Sequence, residues 1–316
     1  MRFKCQCPNS REAVGSARYA VEKAKNPPRM IELSPRESEM NKEKSITRED
    51  IVASLVRTLE PLECVHAFWE AGAAAFDRVD QWSDIDLYAV VEDDYVDEVF
   101  KSVEQALSSV SIIELKFRLP EPTWHGHSQA FYRLKGIRPY LYIDLVVMKK
   151  SSKDKFLQFQ IHGVPVVYFD KIGVVKDDAV DLESFTDVME KRLETLKILF
   201  DMFQVDTLKE LNRGNDIEAH TFYVNNTLKP LVEVLRIKHS PFHYNFRTHY
   251  IHYDLPPKVV ERLQGLTFIA DSKELRNRRA EAEEWFWETV HSIDRNALKS
   301  ALRSRHLEGS RQQLKR

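Results

Sequence analysis

The sequence has few cysteines and no long apolar run. Its three cysteines are Cys5, Cys7 and Cys64, and the first two lie too close together and too isolated to form a zinc site alone. No apolar stretch approaches the ~18–20 residues of a membrane-spanning helix, and the N-terminus lacks the apolar segment of a secretory signal. We therefore expect a cytoplasmic protein with reduced thiols and no membrane partner.

An excess of charge of one sign is also missing. The 47 Lys and Arg residues nearly balance the 49 Asp and Glu residues, which leaves a net charge of −2. No basic field therefore attracts nucleic acid, and we expect no nucleic-acid partner. The composition, 43% hydrophobic and 30% charged, is typical of globular proteins, and 316 residues suffice for two domains with separate cores.

The pattern along the chain predicts four segments. Residues 1–45 are polar and interrupted by prolines, which predicts a poorly ordered N-terminal extension. Residues 46–175 alternate between strand and helix patterns, whereas residues 181–302 show mainly helical periodicity. Residues 303–316 form a basic tail that should fray. The predicted fold class is α+β, with a mixed sheet of about five strands followed by an α-helical domain.

The helical segment permits more detailed expectations. Its apolar periodicity predicts helices over residues 185–203, 217–237 and 272–302. Pro230 falls inside the second of these and should kink it, because proline removes a backbone donor and clashes with the preceding turn. Arg236 lies on the same predicted helix, where a solvated surface position is expected for its charge.

Two carboxylates stand together at the start of a strongly predicted strand. Asp84 and Asp86 are two residues apart, and the apolar run over residues 87–91 continues the strand. Alternate residues of a strand share a face, so both carboxylates should point the same way and repel each other. A divalent cation is the simplest group that stabilises such a pair, and Mg²⁺ accepts one or two carboxylates together with phosphate oxygens.

Two further features accompany this pair. Gly72 and Ala73 follow an apolar run, where backbone N–H groups could approach a phosphate closely. Asp144 is the single acidic residue of the apolar strand pattern over residues 140–148, and a buried Asp is costly unless it is paired or binds a metal. Alone, the Asp84 and Asp86 pair would favour a solvated edge strand or a helix N-cap, but the combination favours metal and phosphate binding.

These motifs together resemble the signature of a known superfamily, the DNA polymerase β-like nucleotidyltransferases. That signature is a Gly-Ser or Gly-Gly turn, an Asp-h-Asp-h strand and a later h-Asp-h strand, where h is apolar. The long helical segment after the motifs makes the chain most similar to aminoglycoside-type nucleotidyltransferases. The resemblance spans residues 64–148, and its motifs are Gly72-Ala73, Asp84-Ile85-Asp86-Leu87 and Ile143-Asp144-Leu145.

The resemblance implies a mixed-sheet nucleotidyltransferase domain followed by a helical one. It also implies Mg²⁺-dependent transfer of a nucleoside monophosphate from an NTP, with ATP the first candidate, to an acceptor hydroxyl, and release of pyrophosphate. The acceptor would be an aminoglycoside-like small molecule. Asp84, Asp86 and Asp144 would be the catalytic and metal-binding residues, and Asp144 could also take the proton of the acceptor.

The resemblance further implies a nucleotide site in the cleft between the nucleotidyltransferase domain and the helical domain. Its candidates are Gly72, Ala73, Ser83 and Arg78. The family carries a serine in the turn where this chain has Ala73, so one hydroxyl that would face the triphosphate is missing here.

Several alternatives stay open at this stage. The acceptor could be a protein side chain or an RNA end, and Ala73 also allows a nucleotide-binding regulator that has lost catalysis. Residues 239–253 mix histidines with aromatic rings, which suits either a stacking surface for a base or sugar or a packed junction between helices. Residues 281–288 mix glutamates with tryptophans, which suits either a cationic acceptor or a solvated face.

Overall fold

A six-stranded mixed sheet forms the centre of the first half of the protein. The computed structural model describes the backbone of residues 46–313 and the side chains of residues 46–304, so the predicted extension over residues 1–45 lies outside the described residues. The strand order is β3-β4-β5-β2-β1-β6, one strand more than the sequence predicts. The strands are β1 Val65–Glu70, β2 Ile85–Val91, β3 Ile113–Arg118, β4 Ser128–Leu134, β5 Ile143–Lys149 and β6 Val166–Asp170.

The register of the sheet places its two central strands side by side. Strands β2 and β5 are parallel, whereas the other neighbouring pairs are antiparallel. Because β2 and β5 run in the same direction, the loops that lead into them reach the same edge of the sheet.

Two helices cover one face of the sheet, and the side chains on that face are apolar. Helix α1 (Arg48–Leu59) begins with a capping box between Thr47 and Asp50, and helix α3 (Val96–Val110) packs beside it. The core between these helices and the sheet contains Ile85, Leu87, Ile143 and Leu145, all fully buried. Side chains alternate along a strand, so Asp86 and Asp144 lie on the opposite face. Two short helices, α2 (Gly72–Ala75) and α4 (Phe159–His162), lie in the connections.

The second half of the described chain is helical, as the sequence predicts. Its apolar core includes a stacked pair, Phe200 and Phe286, whose ring centroids are 3.6 Å apart. The helices are α5 Leu182–Arg213, α6 Asp216–Phe222, α7 Lys229–His239, α8 Ile251–Asp254, α9 Pro257–Gly265, α10 Ser272–His291 and α11 Arg295–Gln313. Among the described residues, no helix is both long and apolar enough to cross a membrane. The fold class is therefore α+β, with a mixed sheet followed by a helical region.

The helix predicted over residues 217–237 is not a continuous α-helix. It contains a π-helical segment, Tyr223–Leu228, just before Pro230. Pro230 has no N–H to donate to the carbonyl of Asn226 four residues earlier, and the side chain of Gln204 donates to that carbonyl instead, at 2.8 Å.

The single helix predicted over residues 272–302 is interrupted. Helix α10 ends at His291, and α11 begins at Arg295. The side chain of Asp294 accepts the N–H of Ala297 at 2.8 Å, so it caps a new helix where apolar periodicity alone suggested continuity. Helix α11 extends into the segment that the sequence assigned to the basic tail, and residues 314–316 lie beyond the described part of the chain.

Candidate active site

The predicted carboxylates lie on the face of strands β2 and β5 that points away from helices α1 and α3. Asp86 and Asp144 are direct partners in the parallel register, and Asp84 precedes β2 by one residue. Burial, followed by repulsion from Asp84 and Asp144, raises the pKa of Asp86 to about 7. Burial also raises the pKa of Asp144 to about 6, although a hydrogen bond from Gln129 opposes that rise. The three side chains therefore form one electrostatically coupled group that favours a proton or a cation.

The turn at Gly72 lies directly against Asp86. The N–H of Ala71 donates to the carbonyl of Asp86 at 2.9 Å. Gly72 has φ +52°, and a Cβ atom at this position would lie 1.6 Å from Asp86 Oδ2. Only glycine therefore allows this approach between the turn and the carboxylate. Ala73, the next residue of the predicted nucleotide site, is buried in helix α2.

Ser83 shapes the loop that leads to Asp84. Its hydroxyl donates to Asp80 Oδ1 at 3.0 Å and accepts the N–H of Asp80 at 2.9 Å. Asp80 Oδ1 also accepts the N–H of Trp82 at 2.9 Å. These bonds stay within the loop, so a phosphate contact by Ser83 would require the hydroxyl to exchange partners.

An arginine and a buried glutamate, which the sequence did not predict, hold the start of β2. Arg48 donates to the carbonyl of Asp84 and to the carboxylate of Glu70. Glu70 is buried and also accepts a hydrogen bond from the hydroxyl of Tyr168. Arg48 and Asp84 are 36 residues apart, so no local sequence pattern could have revealed this contact.

A hydrogen-bond chain supports Asp144 from the side of β4. The amide of Gln129 donates to both carboxylate oxygens of Asp144, at 2.7 and 2.9 Å. Its Oε1 lies 2.9 Å from His125 Nε2, while His125 Nδ1 accepts the N–H of His127 at 3.2 Å. These partners require that His125 carry its proton on Nε2 and donate it to Gln129. Gln129 is a diagonal neighbour of Asp144 across the predicted β4–β5 pair, so the strand register was the signal that could have identified it.

Arg78 joins the turn to the helical region. Its guanidinium carbon lies 4.9, 5.1 and 4.5 Å from the ring centroids of Phe76, Tyr250 and Tyr253. Its Nη2 lies 3.4 Å from Asp254 Oδ1, whereas its Nη1 is buried and hydrogen-bonds to no atom of the described residues. The predicted nucleotide-binding arginine is therefore fixed by aromatic rings and retains one donor.

A buried ionic network stands behind Arg78. The expectation that Arg236 is solvated is wrong, because this side chain is fully buried and donates to Asp254 Oδ2 at 2.8 Å. His243 Nδ1 contacts the same oxygen at 2.9 Å. Burial alone would raise the pKa of Asp254, but His243 and Arg236 lower it to about 2.

Residues 239–253 include a packed junction, because Phe242 and His243 are buried. Tyr250 packs against Phe76, with ring centroids 5.6 Å apart. Burial, followed by the charges of Asp86 and Asp84, raises the pKa of Tyr250 to about 12. The helical region therefore contributes a phenol to the candidate site.

The glutamates and tryptophans of residues 281–288 already contact a cationic side chain of the protein, that of Arg262. The guanidinium carbon of Arg262 lies 4.2 Å from the ring centroid of Trp285. Arg262 also pairs with Glu281 and Glu288, at 3.6 and 3.7 Å. This arrangement does not favour the segment as the binding surface for a cationic acceptor.

Whether a metal ion fits this site depends on Asp86 and Asp144, the two carboxylates that lie side by side on β2 and β5. Within the described residues, no group of three or more His, Cys, Asp or Glu side chains is placed to hold a metal ion, so Asp84, Asp86 and Asp144 do not form a three-carboxylate metal site in this structure. Mg²⁺ usually takes one or two carboxylates and completes its shell with water and substrate phosphates. Asp86 and Asp144 fit this role, since a cation would offset the repulsion that contributes to the raised pKa of Asp86.

A cavity with a volume of about 1340 Å³ lies in the helical region, and Asp84, Asp86 and Asp144 are not among its lining residues. Its lining comes from helices α5, α7, α8 and α9 and from their connections, and includes Arg192, Phe203, Glu233, Arg247 and Leu263. The sheet edge remains the better candidate for chemistry, because coupled carboxylates with raised pKa values lie there.

Comparison with known proteins gives little support for a relationship. No protein family matches the sequence, and no curated protein matches it. Among the solved structures that match, an aminoglycoside 6-adenyltransferase from Bacillus subtilis is similar over 83% of this chain and 98% of its own chain, with 11% identity and a TM-score of 0.30. A similarity of this size does not support a conclusion about the activity of this chain.

Proposed function

We propose that this protein is an Mg²⁺-dependent nucleotidyltransferase that transfers a nucleoside monophosphate from an NTP to an acceptor hydroxyl. ATP is the first candidate for the donor, and an aminoglycoside-like small molecule is the first candidate for the acceptor. The observation that carries the proposal is the direct pairing of Asp86 with Asp144 on parallel strands, with the Gly72 turn against Asp86. This arrangement brings carboxylates and closely approachable backbone to one place, as phosphoryl chemistry requires.

The carboxylates would have two roles, metal binding and acceptance of a proton. Asp86 and Asp144 would hold Mg²⁺, with Asp84 beside them, and the bound ion would neutralise the charge of the phosphates and orient them. Asp144 would also accept the proton of the acceptor hydroxyl, because a carboxylate within hydrogen-bond reach of that hydroxyl can act as a general base. The acceptor oxygen would then bond to the α-phosphorus as pyrophosphate leaves.

The remaining predicted residues would bind the nucleotide and the acceptor. Gly72 and Ala73 would approach the phosphates through their backbone, and the unpartnered Nη1 of Arg78 would supply a charged donor. The acceptor would lie near Tyr250 and Tyr253, because these rings extend from the helical region toward Arg78 at the edge of the carboxylate group.

The proposal can be tested by pyrophosphate release. The protein would be incubated with Mg²⁺, each of the four NTPs and a panel of small molecules that carry amino and hydroxyl groups. We expect release that depends on one class of acceptor and disappears in Asp86→Asn, which should fold because it removes a repelling charge. Equal release by wild type and Asp86→Asn would contradict the assignment of the site.

A further inference from the structure

Two large aromatic side chains are exposed at the sheet edge where β2 and β5 begin. Trp82 is 58% exposed and Tyr140 is 51% exposed, and their ring centroids lie 4.8 Å apart at an interplanar angle of 74°. A single exposed aromatic residue is ordinary on a protein surface. Two in edge-to-face contact form a continuous patch onto which a further ring can pack.

Hydrogen bonds hold the loops that carry these rings. Asp80 Oδ1 accepts the N–H of Trp82 at 2.9 Å, which fixes the backbone of this residue in a tight turn. Arg138 Nη1 donates to the carbonyl of Gln81 at 3.3 Å and so connects the loop before β5 to the loop before β2. A platform that is ordered before binding loses less conformational entropy when a ligand arrives.

The aromatic pair borders the carboxylates. Trp82 is two residues before Asp84, and Tyr140 is two residues before Tyr142, whose backbone carbonyl accepts the N–H of Ile85 at 3.0 Å. Both loops reach the same edge of the sheet because β2 and β5 are parallel. A ligand held by the carboxylates can therefore extend a flat group over the pair.

We propose that Trp82 and Tyr140 form the stacking platform for the nucleobase of the NTP. This inference rests on the proposed function, because that reaction supplies a ligand with phosphates at one end and a flat unsaturated ring at the other. Stacking on aromatic side chains accepts every base, since each base has a π-face. The platform would therefore strengthen binding of all four NTPs and add only a modest preference among them.

The test measures binding rather than turnover. ATP with Mg²⁺ would be titrated into the full-length protein by calorimetry, and inorganic tripolyphosphate with Mg²⁺ would serve as a probe without a base. We expect Trp82→Ala and Tyr140→Ala to weaken ATP binding roughly tenfold, a typical effect of losing one stacked ring, and to leave tripolyphosphate binding unchanged. Both side chains are exposed, so the variants should keep the wild-type thermal midpoint.

A second tryptophan provides a matched control. Trp124 is 90% exposed and lies outside the aromatic pair, so Trp124→Ala should bind ATP as the wild type does. Trp82→Phe should retain most of the affinity, since phenylalanine also stacks. It should lose the quenching of tryptophan fluorescence that ATP causes in the wild type.

The outcomes separate this inference from the proposed function. If the wild type binds ATP and Trp82→Ala weakens binding no more than Trp124→Ala does, the platform is wrong and the proposed function stands. If Trp82→Ala raises only the KM for the acceptor, the rings serve the acceptor and the nucleobase assignment is wrong. If the wild type binds neither ATP nor tripolyphosphate, the proposed function fails and the platform fails with it.

Discussion

At the scale of single residues, the site depends on close contacts that allow little substitution. Gly72 touches the carboxylate of Asp86, and Asp86 lies opposite Asp144. Arg48 and Gln129 then hold the neighbouring groups in place, one at the Asp84 carbonyl and one at the Asp144 carboxylate. The spacing of the carboxylates could be predicted from the sequence because a strand repeats every two residues. Arg48 could not be predicted, since its contact spans 36 residues.

Replacing Gly72 with alanine should damage both stability and nucleotide binding. The variant combines φ +52° with a Cβ atom 1.6 Å from Asp86 Oδ2, so the turn or the carboxylate must move. The backbone strain alone costs about 1–3 kcal/mol, and the clash adds to it. Gly173→Ala is the matched control, because Gly173 has φ +68° but no atom within 4 Å of the added Cβ. Urea unfolding that gave equal losses for the two variants would contradict the close approach.

The raised pKa of Asp86 predicts how stability changes with pH. Its pKa moves from 3.8 to about 7 on folding, mainly through burial and then through repulsion from Asp84 and Asp144. The folded state therefore holds this proton more tightly, and its ionisation destabilises the fold as pH rises from about 4 to 7. In the presence of a chelator, the free energy of unfolding of the wild type should fall over this range relative to that of Asp86→Asn. Parallel curves for the two proteins would contradict the raised pKa of Asp86.

At the scale of elements, apolar alternation and turn chemistry account for most of what the sequence predicts. The two strands that carry the carboxylates are present as predicted, because their apolar residues join the core between the sheet and helices α1 and α3. The missed helix boundaries have causes outside apolar periodicity. Gln204 reaches the Asn226 carbonyl from another helix, and Asp294 caps helix α11 within a pattern that looked continuous. The position of Tyr250 beside the carboxylates depends on the packing of helix α8, which local patterns do not encode.

The buried ionic network of Asp254, Arg236 and His243 should contribute more to the free energy of unfolding than a surface ion pair does. Asp254→Asn would leave the fully buried Arg236 without its counter-charge, and breaking such a pair typically costs about 3–5 kcal/mol. Glu194→Gln, which removes the partner of Lys197 on the surface of helix α5, should cost about 0–1 kcal/mol. Denaturant unfolding of both variants tests the difference, and equal losses would mean that Asp254 is not the charge that compensates Arg236.

At the scale of the whole molecule, the sheet and the helical region meet at the candidate site. Arg78 follows the Gly72 turn, and its guanidinium is held by Tyr250, Tyr253 and Asp254 from the helical region. The sheet would provide the chemistry for any acceptor, so selectivity should come from this junction. This junction could not be predicted from the sequence, because Arg78 and Asp254 are 176 residues apart.

This division predicts a selective kinetic effect for Tyr250. Tyr250→Ala should raise the KM for the acceptor while the KM for the NTP stays near the wild-type value, because the ring faces the carboxylates from the helical side. Glu284→Ala is the control in the same region, since Glu284 is exposed on helix α10 and should change neither constant. If both KM values rise together in Tyr250→Ala, the ring supports the fold of the site and does not contact the acceptor.

The most direct test of the central proposal is the fate of labelled phosphate. Once an acceptor supports pyrophosphate release, the reaction would be run with ATP labelled at either the α- or the γ-phosphate. Nucleotidyl transfer predicts that the α-label appears on the acceptor and the γ-label appears in pyrophosphate, and that Asp86→Asn and Asp144→Asn give neither product. Transfer of the γ-label to the acceptor, or unchanged α-label transfer in both variants, would contradict the proposed function.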